Sequence, residues 1–366
     1  MSERKLASIQ KILDIQPIEG SDNIESCTIQ GWHVIIAKKD NFKIGDLVVY
    51  FEIDSLLDQN NPIFEFMRPR KFKVKTLKMR GTISQGLVMP LSILPKGEWT
   101  EGQDITALTK TKKYDPQAEQ EQRLLNERIT RNNNKIHKFF SRYKWYRNLF
   151  FISKKKTGFP AFIKKTDEER IQNIPDILNL EKDTNFIVTE KLDGQSATFY
   201  LIKNKTLSKL WKPYIFGVCS RNLELTKPDS SSYWTIAKQY NIEDVLKTLI
   251  LDNQYIVLQG EIIGSRIQNN KYKVKGYDFY AFNLMLPDKQ INSINAQKTL
   301  SDLGIKFVPI LDENFKLKST VDDMVEYAKG KSKLYLINRE GVVIRNNTKN
   351  ISFKVINSDF LLENDE

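Results

Sequence analysis

Lys191 and Asp193 stand two residues apart in the run Thr189-Glu190-Lys191-Leu192-Asp193-Gly194. On an extended chain successive side chains alternate faces, so Thr189, Lys191 and Asp193 share one face while Val188 and Leu192 share the other. A lysine beside a carboxylate at the end of a strand is a candidate nucleophile. Gly194 would let the backbone turn there with no Cβ in the way of a ligand. Lys-x-Asp-Gly also occurs by chance in ordinary surface turns, so the other charged clusters have to be weighed with it.

Those clusters follow in order. Gly260-Glu261 places a carboxylate inside the otherwise apolar run Val257 to Gly264, where an unpaired charge would be costly and calls for a polar partner. Glu340-Gly341-Val342-Val343-Ile344-Arg345 and Ser352-Phe353-Lys354-Val355-Ile356 repeat the pattern with an acid and a lysine. Structural ion pairs would account for some of this. Phe279-Tyr280-Ala281-Phe282-Asn283 is aromatic and strand-like; its rings suit core packing or stacking on a purine.

Other chemistries lack material. Two histidines, His33 and His137, leave little for Ser-His catalysis or a histidine-rich metal centre. Cys27 and Cys219 are isolated, which argues against a disulfide framework or a thiolate zinc site and for two reduced, buried thiols. No Walker-type phosphate loop or internal repeat is present. The chemistry must run on Lys, Asp, Glu and Arg. No run of eighteen apolar residues and no apolar stretch after Met1 occur, so the expectation is an intracellular protein of cytoplasm or nucleus, without a membrane partner. The net charge of +12 points to a polyanionic partner.

The elements that must position these residues fall into three regions among 366 residues, enough for two cores. Residues 1–109 read as short strands broken by turns (Ile9 to Ile18, Cys27 to Ala37, Leu47 to Ile53, Phe72 to Met79 with Gly86 to Leu94, Ile105 to Leu108), an all-β barrel of OB type. Residues 110–157 form a basic linker that carries nearly all the net charge, with fourteen lysines and arginines against four acids between Lys110 and Lys156. Gln117 to Ile129 reads as a helix. Beyond it Phe139, Phe140, Tyr143, Trp145, Tyr146, Phe150 and Phe151 interleave with cations, a mixture suited either to stacking on bases or to docking a solvated linker on the two domains. Residues 158–366 alternate strands with helices at Trp234 to Leu251, Ser293 to Leu303 and Thr320 to Lys329, the last with a capping-box spacing from Thr320 to Asp323.

Lys191-x-Asp193-Gly194, Ser220-Arg221-Asn222, Gly260-Glu261, Tyr280-Ala281-Phe282, Glu340-Gly341-Val342-Val343 and Phe353-Lys354 resemble motifs I, Ia, III, IIIa, IV and V of the covalent nucleotidyltransferases, specifically the ATP-dependent RNA ligases. Lys165 to Asn173 is similar to the RNA ligase branch. The first hundred residues, including Lys75 to Gly81 and Ser84 to Leu87, look like the N-terminal OB domain of the Naegleria-type ligases. Ile356 departs from many members, which carry a second lysine there, so two lysines sharing phosphate work is not expected.

The resemblance implies a two-domain fold: an OB barrel, the basic linker, and an α+β nucleotidyltransferase domain of ATP-grasp-like antiparallel sheets. It implies ATP and Mg2+ or Mn2+ as cofactors, RNA with 5′-phosphate and 3′-hydroxyl ends as partner, and a monomer. Lys191 would attack the α-phosphate. Glu190 would read the adenine edge, Phe282 would stack, Arg221 and Glu261 would contact ribose or phosphate, and Lys354 would bind the α-phosphate. Asp193 and Glu340 would hold a hydrated metal. Lys75, Lys78 and Arg80 on the barrel are candidates to clamp the β- and γ-phosphates or RNA. An ordinary lysine titrates near ~10.4, so reactivity at neutral pH asks for a fall of about three units, roughly 4 kcal/mol. Burial, nearby cations and a metal act that way, whereas Asp193 opposes it. DNA ligases and mRNA capping enzymes share the chemistry but place an OB domain after motif V, where twelve residues follow Lys354 here. A non-catalytic RNA-binding protein on a decayed scaffold is the rival from another class.

Overall fold

The structure, a computed structural model, describes residues 4–114, 158–165, 167–204, 210–225, 231–287 and 289–364. The proposed helix at Gln117 to Ile129 and the basic aromatic stretch at 139–151 lie outside the described residues. Among those described, no helix is long and apolar enough to cross a membrane.

The N-terminal region is all β: β1 (Ala7–Lys11), β2 (Asp14–Pro17), β3 (Ile24–Ile29), β4 (Trp32–Ala37), β5 (Leu47–Phe51), β6 (Ser55–Leu56), β7 (Lys73–Val74), β8 (Thr76–Met79), β9 (Thr82–Gln85), β10 (Leu87–Pro90) and β11 (Lys112–Lys113). Strands β1, β5 and β10 form one sheet, β2, β3 and β4 a second, and β11, β6 and β7 a third. Alternation decides what each face buries. In β5, Val49 and Phe51 join one core with Ala7, Ile9 and Phe64, while Val48 and Tyr50 join another with Trp32 and Val34.

Four local readings change. Ile9 to Ile18 is two strands, β1 and β2, which belong to different sheets. The run Cys27 to Ala37 is a hairpin rather than one strand, turned at Gln30 with φ 52, because β-favouring residues on both flanks hide a two-residue turn. Ile105 to Leu108 is a turn whose Ile105 plugs the barrel core. Lys112–Lys113 pairs with Ser55–Leu56, so barrel pairing runs past residue 109.

The C-terminal region contains β12 (Glu169–Arg170), α1 (Ile177–Leu180), β13 (Phe186–Lys191), β14 (Gln195–Lys203), β15 (Tyr214–Cys219), α2 (Ser232–Gln239), α3 (Ile242–Ile250), β16 (Tyr255–Gly264), β17 (Tyr277–Leu286), β18 (Lys289–Gln290), α4 (Ser293–Ser301), β19 (Ile310–Phe315), α5 (Val321–Ala328), β20 (Gly341–Asn346), β21 (Ile351–Ile356) and α6 (Ser358–Asn364). Two five-stranded sheets result, ordered β12-β21-β20-β13-β19 and β15-β14-β16-β17-β18. All of their pairings are antiparallel except β12 with β21, which is parallel. The single helix expected from Trp234 to Leu251 is two helices, broken at Asn241 with φ 46. Thr320 caps α5 as its spacing requires, with Oγ1 accepting from the Asp323 N–H at 3.1 Å. Both cysteines are free and buried.

The first of these sheets shows how sequence alternation builds a site. Val342 and Ile344 of β20 and Phe353 and Val355 of β21 pack in a core with Leu178, Met324 and Ala328. Their alternates Val343, Arg345, Lys354 and Ile356 line a cavity. The second sheet buries Phe199, Leu258, Ile262 and Phe279 against α2 and α3 and turns Glu261 and Phe282 to the same cavity.

The barrel docks on this domain through specific bonds. Trp32 Nε1 donates to Asn173 Oδ1 at 2.7 Å, the Gly31 N–H to the Gln172 carbonyl at 3.0 Å, and Arg170 Nη2 to Asp54 Oδ2 at 2.9 Å. Arg4 and Lys113 from the barrel thereby reach the cavity.

Candidate active site

Eight of the residues singled out from sequence (Lys191, Glu190, Asp193, Arg221, Glu261, Phe282, Glu340 and Lys354) line one cavity of about 280 Å³. Pairing explains the convergence. Lys191 lies opposite Gly341, which puts Glu340 beside it, and Val343 lies opposite Lys354. Lys191 Nζ donates to Glu340 Oε2 at 2.6 Å. Gly341 is required by the close approach of β20 to β21, since a Cβ there would stand 2.2 Å from the Val355 carbonyl oxygen.

Gly194 plays a different part from the one read in sequence. A Cβ on it would lie 2.4 Å from the Ile262 carbonyl oxygen, so the space it leaves is filled by β16 rather than by a ligand. That close approach lets the Gly194 N–H donate to Glu261 Oε1 at 3.1 Å, a polar partner for this half-buried carboxylate.

An ideal strand would aim Glu190 away from Lys191, yet Thr189, Glu190 and Lys191 all line the cavity. Strand β13 departs from regular pairing with β19, with register shifts on both sides of Val188. Glu190 is 2% exposed; its Oε2 accepts from the Lys333 N–H at 2.8 Å, and its Oε1 has no hydrogen-bond partner among the described residues.

The electrostatics around Lys191 run opposite to the expectation of a lowered pKa. Burial favours the neutral amine, but Glu340, Glu261 and Asp193 together outweigh it and hold the ammonium above the ordinary lysine range. The acids respond in kind. Burial, with Glu340 and Asp193 nearby, pushes Glu261 up to about 8 even though Lys191 pulls it down. Burial likewise raises Glu340 against the pull of Lys191.

A second, cationic group sits beside the first. Burial, then Arg170, lowers Lys354 to about 7, while Asp167 opposes them. Asp167 accepts from Lys113 at 2.9 Å and pairs with Arg221 at 3.1 Å and Lys354 at 3.5 Å. Burial alone would raise that carboxyl, but these cations hold it well below the usual carboxylate range. Arg170 keeps Nε and Nη1 buried with no hydrogen-bond partner among the described residues. Arg345, 4% exposed, bonds the Phe282 carbonyl at 3.0 Å and pairs with Glu168 at 3.1 Å.

Several cavity residues escaped the sequence reading. Arg4 and Lys113 come from the barrel, and no local pattern marks them. Asp167, Glu168 and Arg170 lie in Lys165 to Asn173, a stretch whose resemblance to the RNA ligase branch carries no role for any single residue. Lys271 pairs with Asp193 at 2.5 Å, and Tyr272 Oη accepts from the Asp193 N–H at 2.7 Å. A basic loop between two strands is the only signal for either. Conversely, Lys75, Lys78 and Arg80 are not among the residues lining the cavity; they belong to the β8–β9 region, where α6 packs on β8.

Asp193 and Glu340 offer hard carboxylate oxygens next to Lys191, a donor set suited to Mg2+ or Mn2+. No group of three or more His, Cys, Asp or Glu able to hold an ion occurs among the described residues, so such an ion would complete its shell with water or substrate oxygens. The unpartnered Glu190 Oε1 fits an amino donor, and the unpartnered Arg170 N–H groups fit an anionic oxygen.

Residues 6–91 match a family model described as an OB-fold domain, and residues 184–356 match one described as RNA ligase. No curated protein matches the chain. Among solved structures, Naegleria gruberi RNA ligase with PPi is 31% identical, with 99% of each chain covered and a TM-score of 0.78. A mutant of that ligase with ATP and Mn is 31% identical over 99% of this chain and 100% of the other, with a TM-score of 0.78. Another mutant, with AMP and Mn, is 31% identical over 98% of this chain and 99% of the other, also at 0.78.

Proposed function

This chain belongs to the RNA ligase family, and we propose that it uses ATP to join a 3′-hydroxyl to a 5′-phosphate at RNA ends or nicks, as a monomer. The observation that carries the reading is the half-buried Lys191, ringed by Glu340, Glu261 and Asp193 and bordered by cations from both domains.

In the first step Lys191 Nζ gives up its ammonium proton to solvent and forms a bond to the α-phosphorus of ATP as the bond to pyrophosphate breaks. Glu190 Oε1 accepts from the adenine amino group, Phe282 lies against the ring, and Arg221 and Glu261 contact ribose or phosphate. Lys354 and Arg170 hold phosphate oxygens by charge-assisted hydrogen bonds. Asp193 and Glu340 would hold a hydrated Mg2+ or Mn2+, which, when bound, offsets the carboxylate charge that keeps Lys191 protonated. The adenylyl group then passes to the 5′-phosphate of RNA, and the 3′-hydroxyl displaces AMP to form the phosphodiester. Each transfer exchanges one phosphoryl bond for another and needs no redox partner.

Incubation with ATP and manganese followed by intact mass measurement tests this. The wild-type chain should gain the mass of AMP, the adduct should be acid-labile, and GTP should not replace ATP. Lys191→Ala should carry no adduct, and neither should Lys191→Arg, whose guanidinium does not deprotonate in proteins. An adduct on either variant would refute Lys191 as nucleophile. No adduct on the wild-type chain would favour an RNA-binding protein without catalysis.

A further inference from the structure

The connection between β16 and β17 has an unusual backbone. Arg266, Gln268, Asn269, Asn270 and Lys273 take φ of 65, 43, 56, 50 and 54, five left-handed non-glycine residues within eight positions. The loop is nonetheless built. The Ser265 N–H bonds the Gly276 carbonyl at 2.8 Å, and Asn270 braces Val274 twice, donating to its carbonyl at 3.1 Å and accepting from its N–H at 3.0 Å.

Two anchors tie it to the site: Lys271 to the Asp193 carboxylate and Tyr272 to the Asp193 N–H. Gln268 lines the cavity. Residues 265–276 include four cations and no acid. Lys271 is used inward. Arg266, Lys273 and Lys275 are exposed and have no ion pair among the described residues.

We infer that this loop docks the sugar-phosphate backbone of the RNA being sealed, with Arg266, Lys273 and Lys275 meeting its phosphates. A rigid loop presents its cations without the ordering cost of a flexible one. Its lack of acids matches a uniformly negative partner. Because the same loop grips Asp193 by side chain and backbone, a strand held there is registered against the turn that follows Lys191. The inference rests on the ligase reading for the identity of the strand.

The test combines Arg266→Gln, Lys273→Gln and Lys275→Gln in the full chain, with two readouts. The AMP adduct formed with ATP and manganese should be unchanged, since these residues are not among those lining the cavity. Affinity for a nicked RNA duplex should fall, and its salt dependence should flatten. Each lost phosphate contact removes about 0.9 from the log–log slope, so three remove about 2.7. The ratio of wild-type to variant affinity should therefore shrink about 40-fold between roughly 50 and 200 mM salt. Lys273→Arg with Lys275→Arg should retain the wild-type slope. A ratio constant across that range overturns the inference, as does loss of the adduct in the triple variant, which would place the loop in the first step. Failure of the wild-type chain to form an adduct refutes the ligase reading instead, and the binding readout still judges the loop.

Discussion

Replacing Glu261 by Gln should change how stability depends on pH, by an amount that follows from its surroundings. Burial, reinforced by Glu340 and Asp193, places the Glu261 carboxyl at about 8 in the folded chain against an ordinary 4.5. Between those values the folded protein keeps a proton that the unfolded chain has released, so the contribution of this group falls as pH rises. The loss is about 1.4 kcal/mol per pH unit. From about pH 5 to pH 7 it amounts to about 2.7 kcal/mol. The window stops there because Lys354, at about 7, begins to contribute with the opposite sign above that value. Glutamine keeps the acceptor for the Gly194 N–H and cannot ionise, so it should remove this slope while leaving the hydrogen bond intact. Urea unfolding of both proteins, free of nucleotide and with chelator present, measures the difference. If the two stability curves run parallel across the window, Glu261 is not held protonated and the account of this acidic ring is wrong.

Two further substitutions probe other parts of the structure. Lys354 titrates at about 7 when folded against an ordinary 10.5, so between those values the unfolded chain binds the extra proton and stability rises with pH; Lys354→Met should remove about 1.4 kcal/mol per unit of that rise in urea titrations between about pH 8 and 10. Gly31→Ala would set a Cβ 2.9 Å from Gln172 Cα and 3.0 Å from Val321 side-chain atoms across the domain junction, which should cost about 1–3 kcal/mol in thermal unfolding and expose the junction to protease.

Much of the chemistry was legible along the chain because strands announce themselves. A lone charge in an apolar run of period two must face either a partner or a site, and Glu261, Glu340 and Lys354 do both. The same alternation separated Val342 and Ile344 from Val343 and Arg345. Short-range irregularities were less visible. The break at Asn241 and the hairpin at Gln30 depend on single backbone conformations that several residue types can adopt, and the register shifts around Val188 leave no mark in residue type.

From residue order alone came the candidate nucleophile, its acids, and two domains joined by a basic stretch, because each is a local pattern of residue type and spacing. Only folding decided that Arg4 and Lys113 of the barrel would stand beside Lys354, that Lys271 would grip Asp193, and that the carboxylates would raise Lys191 rather than let burial lower it. Those outcomes depend on distances between residues far apart in the chain, and a charge acts through space on whatever the fold brings near it.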